Sequence, residues 1–352
     1  MKIVMVGPDK NAKGGIASVI NNFVEYFGDP SIEILDYITW KEGSSFHHLL
    51  NTIFGILRFP FFIRAEKPDI LHIHVAQYGS FYRKSLYLML GKMFKLKIIL
   101  HMHGSQFEKF YEKGSVFRKK YVQYVLNKAD ILVVLSESWK EFYSQITTKN
   151  IEVIKNCVSV PQKNLYNKEA KDIIFFGNIG ERKGVYDILD IASALQTEIP
   201  ETSICLYGNG DIVKIKKIIT EGHLENVIVK SWVSEEDKPA IYRKAMMHIL
   251  PSYQEGLPMA ILETMAQGIP NISTFVGGIP ELIENRKNGV LIRPGKQEDL
   301  KEAIIELANN KAMRVAYSEE SFKTIENQFS INNQKSLFYK IYNDLMRIEY
   351  SS

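Results

Sequence analysis

Two glutamates, Glu255 and Glu263, lie in the run PSYQEGLPMAILETMAQGIP (Pro251 to Pro270), directly after the apolar strand candidate MHIL. Pro258 suits the first turn of a helix, where its missing N–H would be unpaired anyway. Gly268 is a good helix stop. The turn Glu255-Gly256-Leu257-Pro258 therefore offers free backbone N–H groups and the positive end of a helix dipole, a setting suited to phosphate. Gly256 lets a ligand approach the backbone closely. Glu255 precedes the helix and Glu263 lies about one turn inside it, so the two would touch different parts of one elongated ligand. A glycosidase pair is rejected, because its carboxylates must flank one bond at about 5–10 Å. The plain alternative is a surface glutamate followed by an ordinary amphipathic helix.

A second constellation is FFGNIGERKGVYDIL, from Phe175 to Leu189. A buried strand ends at Gly177 and a helix begins near Gly184, with Val185, Ile188, Leu189, Ala192 and Leu195 on one stripe. Arg182 and Lys183 sit at the mouth of the intervening loop, where the helix dipole already favours anions. One cation about 4 Å from a phosphate oxygen interacts by roughly 1 kcal/mol in water and about 4 kcal/mol at an intermediate dielectric. A solvated Arg-Lys pair is the bland reading. A third, weaker signal is KNAKGGIASVINNFVEYF (Lys10 to Phe27), in which Gly14-Gly15 before a helix permits close backbone approach. It lacks the G-x-G-x-x-G spacing of dinucleotide sites.

Four histidines form the last group. His72 and His74 share one strand, and His101 and His103 belong to another, each pair facing one side at period two. His103 precedes Gly104-Ser105 at the strand's carboxyl end, where it could hydrogen-bond a sugar hydroxyl or help stabilise developing positive charge. Paired His-x-His could also ligate a metal. For His72 and His101 alone, a structural role is the simpler reading.

These residues need a scaffold that brings loops together. Short β-branched runs alternate with helical segments through both halves: KIVMV, IEILDY, DILHIHV, KIILHMH, DILVVL and IEVI, then DIIFFG, SICLYG, NVIVK, MHIL, PNIS and GVLI. Strands apolar on both faces and spaced by helices imply parallel sheets covered on both sides. Two such runs predict two doubly wound α/β domains, with ligands at the carboxyl ends of the strands. Every motif above falls in such a loop. The expected organisation is residues 1–165, residues 166–330 and a C-terminal helical segment, 331–352, packing back on the first domain. The polar stretch PQKNLYNKEAK (Pro161 to Lys171) is the expected linker.

The chain has 352 residues, with 45% hydrophobic and 24% charged side chains, which is globular composition. Two cysteines, Cys157 and Cys205, can form neither a disulfide framework nor a cysteine metal site, pointing to a reducing compartment. The N-terminus MKIVMVGPDK lacks a signal-peptide core. The most apolar stretch, Leu49 to Ile63, is interrupted by Arg58 and Pro60 and is shorter than the roughly 20 residues a span needs. Net charge is +4, with 22 Lys/Arg against 14 Asp/Glu up to Leu165 and 22 against 26 beyond it. A basic first half suggests a polyanionic surface, and the absence of a zinc-finger, RNP or arginine-rich pattern disfavours nucleic acid.

Taken together, EGLPMAILETMAQGIP, GERKG, the early GG and the strand-end HG resemble the retaining glycosyltransferases of family 4, as do the later GGIPELI and NGVLIRPG. The resemblance spans nearly the whole chain and implies a GT-B fold, two Rossmann-like domains facing across a cleft. It implies that Glu255 contacts the transferred sugar and Glu263 the nucleotide ribose, within a donor site that also includes Gly256, Leu257 and Pro258. Arg182 and Lys183 would hold the donor diphosphate, Gly15 would lie against donor phosphates or acceptor, and His103 would sit beside the transferred sugar. Asn178 stands where the family often has Arg, so the diphosphate loses a cation for which Arg182 could compensate.

No Asp-x-Asp occurs, so a metal-clamped diphosphate is not expected, and the donor is a nucleotide-diphosphate sugar used without a metal cofactor. In the retaining scheme the leaving phosphate itself accepts the acceptor's proton. HVAQYGSFYRKSLYL with HMHGSQFEKFY resembles members that build bacterial capsular or exopolysaccharide. That implies a glycan or lipid-diphosphate-linked acceptor and a cytoplasmic protein peripheral on the inner face of the cell membrane. Arg83, Lys84, Lys92, Lys95, Lys97 and Arg118 to Lys120 are candidate contacts for anionic lipid, each contributing about 1 kcal/mol. The aromatic stretch Phe54 to Phe62 would either insert beside them or serve as a core helix. The competing classes are a metal-dependent hydrolase on the His-x-His pairs, a non-catalytic partner binding a glycan or a true transferase, and a nucleotide-sugar epimerase.

Overall fold

The computed structural model describes residues 1–9, 12–41, 43 and 45–347, and the side chains of residues 45–49 lie outside the description. Its contacts divide it into two compact units. One comprises Met1–Asn156 together with the chain from Ile331; the other is Cys157–Ser330. The polar stretch 161–171 thus belongs to the second unit.

The alternation of apolar runs and helical segments becomes two six-stranded sheets in which every pairing is parallel. In the first unit the strands are β1 (Lys2–Pro8), β2 (Glu33–Trp40), β3 (Ile70–Val75), β4 (Lys97–Met102), β5 (Ile131–Val134) and β6 (Asn150–Val153), in the order β2-β1-β3-β4-β5-β6. In the second they are β7 (Asp172–Phe176), β8 (Ser203–Tyr207), β9 (Val227–Lys230), β10 (Ala245–Leu250), β11 (Asn271–Thr274) and β12 (Gly289–Ile292), in the order β12-β11-β10-β7-β8-β9. Helices on both faces leave no wet side, so β3 and β10 are buried along their whole length.

Each order reverses direction once, between β1 and β3 and between β7 and β10. At such a reversal the neighbouring loops leave in opposite senses and open a crevice at the strands' carboxyl ends. The Arg182-Lys183 loop follows β7 and the Glu255 loop follows β10, so topology alone sets these two side by side.

The helix Ile331–Arg347 packs on the first unit. Phe338 meets Phe23 edge-on at 4.8 Å between ring centroids, and the Tyr342 hydroxyl lies 2.8 Å from His72 Nδ1. Lys335 Nζ donates to the Tyr26 carbonyl and the Tyr339 hydroxyl to that of Phe27, so this last helix also caps the end of helix Gly15–Tyr26. Residues 348–352 of the expected terminal segment lie outside the described residues.

Helix Ser45–Glu66 runs through Pro60 and divides the two options left open for the aromatic stretch. Phe59 and Ile63 are buried in the first core, whereas Ile53, Phe54, Leu57 and Phe61 form an exposed stripe. One expected lipid contact is overturned. Lys84 is buried, its amine donating to the Val6 carbonyl and the Thr39 hydroxyl, because it lies on the face of helix Gly79–Met93 turned to the sheet.

Phe338 fills a fully enclosed site among Phe23, Phe27 and His72. Phe338→Ala should therefore destabilise the first unit by about 3–5 kcal/mol. Chemical denaturation followed by near-ultraviolet dichroism measures it, and a loss below 1 kcal/mol contradicts the packing described.

Candidate active site

The loop after β7 begins at Gly177, passes Asn178 and Gly180, forms a tight turn over Glu181–Lys183, and enters helix Val185–Glu198 through Gly184. Gly184 has a φ of 72°, and a Cβ there would stand 2.1 Å from the Pro251 carbonyl oxygen. Glycine is thus required twice, by the left-handed backbone and by the closeness of the second loop. The second loop descends from β10 through Pro251–Pro258 into helix Met259–Ala266, whose first backbone N–H groups have no acceptor within the helix.

Polar bonds tie the two loops together. The Tyr253 N–H donates to the Arg182 carbonyl at 2.9 Å, and Arg182 Nη1 donates to the Gln254 carbonyl at 3.0 Å. Lys183 Nζ lies 2.5 Å from Glu255 Oε1, which also accepts from the Ser252 hydroxyl at 2.7 Å. Both partners of this ion pair are largely enclosed, with side-chain exposures of 13% and 6%. Such a pair gains little net stability from burial, because desolvation offsets most of the attraction. Its geometric consequence is firmer: an amine with three N–H donors is held by a carboxylate where the two loops meet.

Gly256 is held by the Gly278 N–H, which donates to its carbonyl at 2.7 Å. A Cβ at Gly277, where φ is 55°, would stand 2.0 Å from the Glu255 carbonyl oxygen. Leu257 and Pro258 are buried and seat the turn in the core. Of the residues singled out in the sequence, Arg182, Lys183, Glu255, Gly256, Leu257 and Pro258 therefore form one contiguous patch. Arg182 differs from expectation in having one arm on the Gln254 carbonyl, which fastens the loops, while its fork has further N–H donors. The Asn178 carboxamide stands beside Gly210 in the loop after β8, 3.2 Å from where a Cβ there would be.

Glu263 keeps different company. Its Oε2 lies 2.7 Å from Lys238 Nζ, which also lies 2.6 Å from Glu235 Oε1. Burial pushes the Glu263 carboxyl up from the usual range, and Lys238 works against that rise. The two glutamates thus hold separate polar positions on the same loop and helix, as their spacing implies. Sequence reasoning missed Ser252, Lys238 and Gly277. Gly277 and Ser252 were within reach, because they belong to the quoted GGIPELI and PSYQEGLP runs; Lys238 belongs to no motif.

In the first unit, Gly14 has a φ of 141° and Gly15 opens helix Gly15–Tyr26. Lys10 and Asn11 of that loop lie outside the described residues. The histidines are linked in pairs: His72 Nε2 to His101 Nδ1 at 3.1 Å, and His74 Nδ1 to His103 Nε2 at 3.0 Å. His103 is half-buried and its backbone N–H donates to the Val75 carbonyl. Burial pushes His72 and His103 down to about 3 and holds His74 and His101 well below the usual imidazole range.

Ring nitrogens of His72, His74 and His101 lie within 4.8 Å of one another, a spacing that could hold a metal. The donor set fits poorly. His72 already uses both ring nitrogens, on Tyr342 and His101, and Phe23 and Phe338 pack their rings against the cluster.

Comparison with known proteins agrees with this architecture. The model for glycosyl transferases group 1 matches residues 159–324, and that for glycosyltransferase family 4 matches residues 23–161. An uncharacterised glycosyltransferase of Methanocaldococcus jannaschii is 25% identical, over 98% of this chain and 99% of that protein. A 41.2 kDa protein of the cps region of Klebsiella pneumoniae is 23% identical, over 80% and 84%. Among solved structures, sucrose-phosphate synthase from Thermosynechococcus elongatus superposes with a TM-score of 0.80 at 15% identity, covering 99% of both chains. Anabaena HepE in complex with UDP-glucose gives 0.76 at 16% identity, over 98% and 100%.

The histidine cluster has a measurable consequence. Unfolded histidines titrate near 6.5, well above the folded values, so the unfolded chain takes up protons first. Stability is complete above about pH 6.5 and falls as pH drops toward 3, by up to about 1.4 kcal/mol per pH unit for each histidine. Denaturation of the protein at pH 7, 6 and 5 should show this slope, and His72→Gln should flatten it by about one proton. An unchanged slope in the variant means that His72 is not held neutral.

Proposed function

The chain belongs to the family 4 glycosyltransferases of GT-B fold, which use nucleotide-sugar donors, and from that premise we propose a retaining, metal-independent hexosyltransferase of bacterial cell-surface polysaccharide synthesis. The observation that carries the reading is the Lys183–Glu255 pair set beside the N-terminus of helix Met259–Ala266. Departure of the sugar from its diphosphate breaks the bond between anomeric carbon and phosphate oxygen. Positive charge is left on the sugar and negative charge on the diphosphate. Lys183, the further donors of Arg182 and the turn at Gly256-Leu257-Pro258 would take the negative charge; fixed donors of this type contribute about 3–4 kcal/mol each. Glu255 would face the sugar and Glu263 the ribose, with Asn178 and Gly15 as neutral neighbours of the donor.

The bond from acceptor oxygen to anomeric carbon forms on the face the diphosphate leaves, and the departing phosphate oxygen takes the acceptor's proton. No separate general base is then required. His103 would contact the transferred sugar; with its Nε2 on His74, a ring held neutral has only Nδ1 left to donate or accept, and it adds no positive charge of its own.

The acceptor we infer is a glycan or lipid-diphosphate-linked oligosaccharide at an anionic membrane surface, on the inner face. Two features support it. The Klebsiella relative belongs to a cps region. Helix Ser45–Glu66 carries the exposed stripe Ile53, Phe54, Leu57 and Phe61, with Phe61 71% exposed, flanked by exposed Arg58 and Arg64. Among the described residues no helix is long and apolar enough to cross a membrane, so this helix would lie in the interface. Val116 and Phe117, both strongly exposed beside Arg118, Lys119 and Lys120, offer a second contact of the same kind.

Lys183→Ala and Glu255→Ala should each lower kcat by about 100-fold or more with folding intact, and EDTA should leave wild-type transfer unchanged. Normal turnover in both variants removes the site assignment. Binding to vesicles containing phosphatidylglycerol should fall at least tenfold in Phe54→Ser/Phe61→Ser, because each exposed ring contributes about 2 kcal/mol on burial. Equal sedimentation of wild type and variant with anionic and neutral vesicles overturns the membrane reading.

A further inference from the structure

A second buried cation lies in the second unit, at a position that belongs to no motif. Lys238 opens the short helix Lys238–Tyr242 and is 9% exposed. Its amine bridges two carboxylates, Glu263 at 2.7 Å and Glu235 at 2.6 Å, of which Glu235 is mostly in solvent and Glu263 is not. Tyr242, one turn further along the same helix, is also buried near Glu263. The segment after β9 is therefore shaped around one carboxylate on helix Met259–Ala266.

We propose that Lys238 is a positioning residue that holds and orients the Glu263 carboxylate for the ribose diol of the donor nucleotide. The inference rests on the reading of Glu263 as the ribose contact. An ionised carboxylate has about four lone-pair sites. Lys238 occupies part of that capacity, which leaves acceptor sites for the two hydroxyls of a diol. Hydrogen bonds to an ionised carboxylate are roughly twice as strong as those between neutral groups. Burial alone would favour the protonated acid, and a protonated carboxyl turns one acceptor into a donor. Lys238 opposes that protonation, and Glu235 favours it by like charge. Because Glu235 shares the amine, Glu263 is not neutralised one-to-one and keeps charge to offer a ligand.

The test compares UDP, GDP and ADP with the 2′-deoxy form of whichever binds, by calorimetry on wild type and Lys238→Met. Loss of Lys238 should weaken the ribonucleotide about tenfold, the size of a charge-assisted hydrogen bond, and the 2′-deoxy form, which keeps only one of the two hydroxyls, by about threefold. The ribonucleotide loss should grow from pH 8 to pH 6, as Glu263 takes up its proton at a higher pH in the variant. In a Glu263→Gln background, Lys238→Met should change affinity by less than twofold. Lys238→Arg, which keeps the charge, should retain the ribose preference and serves if Lys238→Met does not fold. Equal weakening of both nucleotide forms, or none, overturns the role of Lys238 alone. Failure of the wild type to bind any of the three diphosphates overturns the donor-site reading beneath it.

Discussion

The second unit depends on two parallel neighbours, β7 and β10, being held close enough for their trailing loops to share backbone contacts. The closeness is set by glycine. A side chain at Gly184 would meet the Pro251 carbonyl, and one at Gly277 would meet the Glu255 carbonyl, each at about 2 Å. Both positions also have positive φ, so the backbone itself disfavours any other residue. With the loops joined in this way, the Lys183–Glu255 pair lies at the seam between them, an enclosed ion pair that contributes little to net stability. Arg182 acts on the same constraint from the other side, through its bond to the Gln254 carbonyl.

This constraint explains what could be read from the sequence and what could not. Strands buried on both faces announce themselves as unbroken apolar runs, so twelve strands and the two-sheet α/β architecture were legible from runs such as DILHIHV and DIIFFG. Loops at the ends of such strands were legible as well, because Gly-Leu-Pro before a helical run and Gly-Glu-Arg-Lys-Gly after a strand have few other uses. Strand order was not legible. That β7 lies beside β10 depends on which crossover helices cover which face, and no local propensity encodes it. The partner of Glu263 was hidden for the same reason: Lys238 looks like an ordinary polar residue until the fold brings it near a carboxylate.

Lys84 shows the limit of reasoning from charge alone. It counts in the basic surplus of the first half, yet its amine lies in the core on a carbonyl and a hydroxyl. Amphipathic patterning on helix Gly79–Met93 was too weak to separate the buried Lys84 from the outward Tyr82 and Leu86. The aromatic stretch on helix Ser45–Glu66 misled in the opposite direction, since a choice between core and surface was posed for a helix that serves both.

Three enclosed lysines then divide by their partners. Lys183 and Lys238 each face a carboxylate at hydrogen-bond distance. Lys84 has a carbonyl and a hydroxyl as its bonded partners, and burial drives its amine well below the usual range, toward the neutral form. A neutral amine in a core costs far less than a charged one, so Lys84 can persist as a structural donor joining β1 and β2. A lysine kept beside a buried carboxylate has no such escape, because neutralising it would strand the acid. Lys183 and Lys238 are thus each tied to a carboxylate, whereas Lys84 rests on a carbonyl and a hydroxyl.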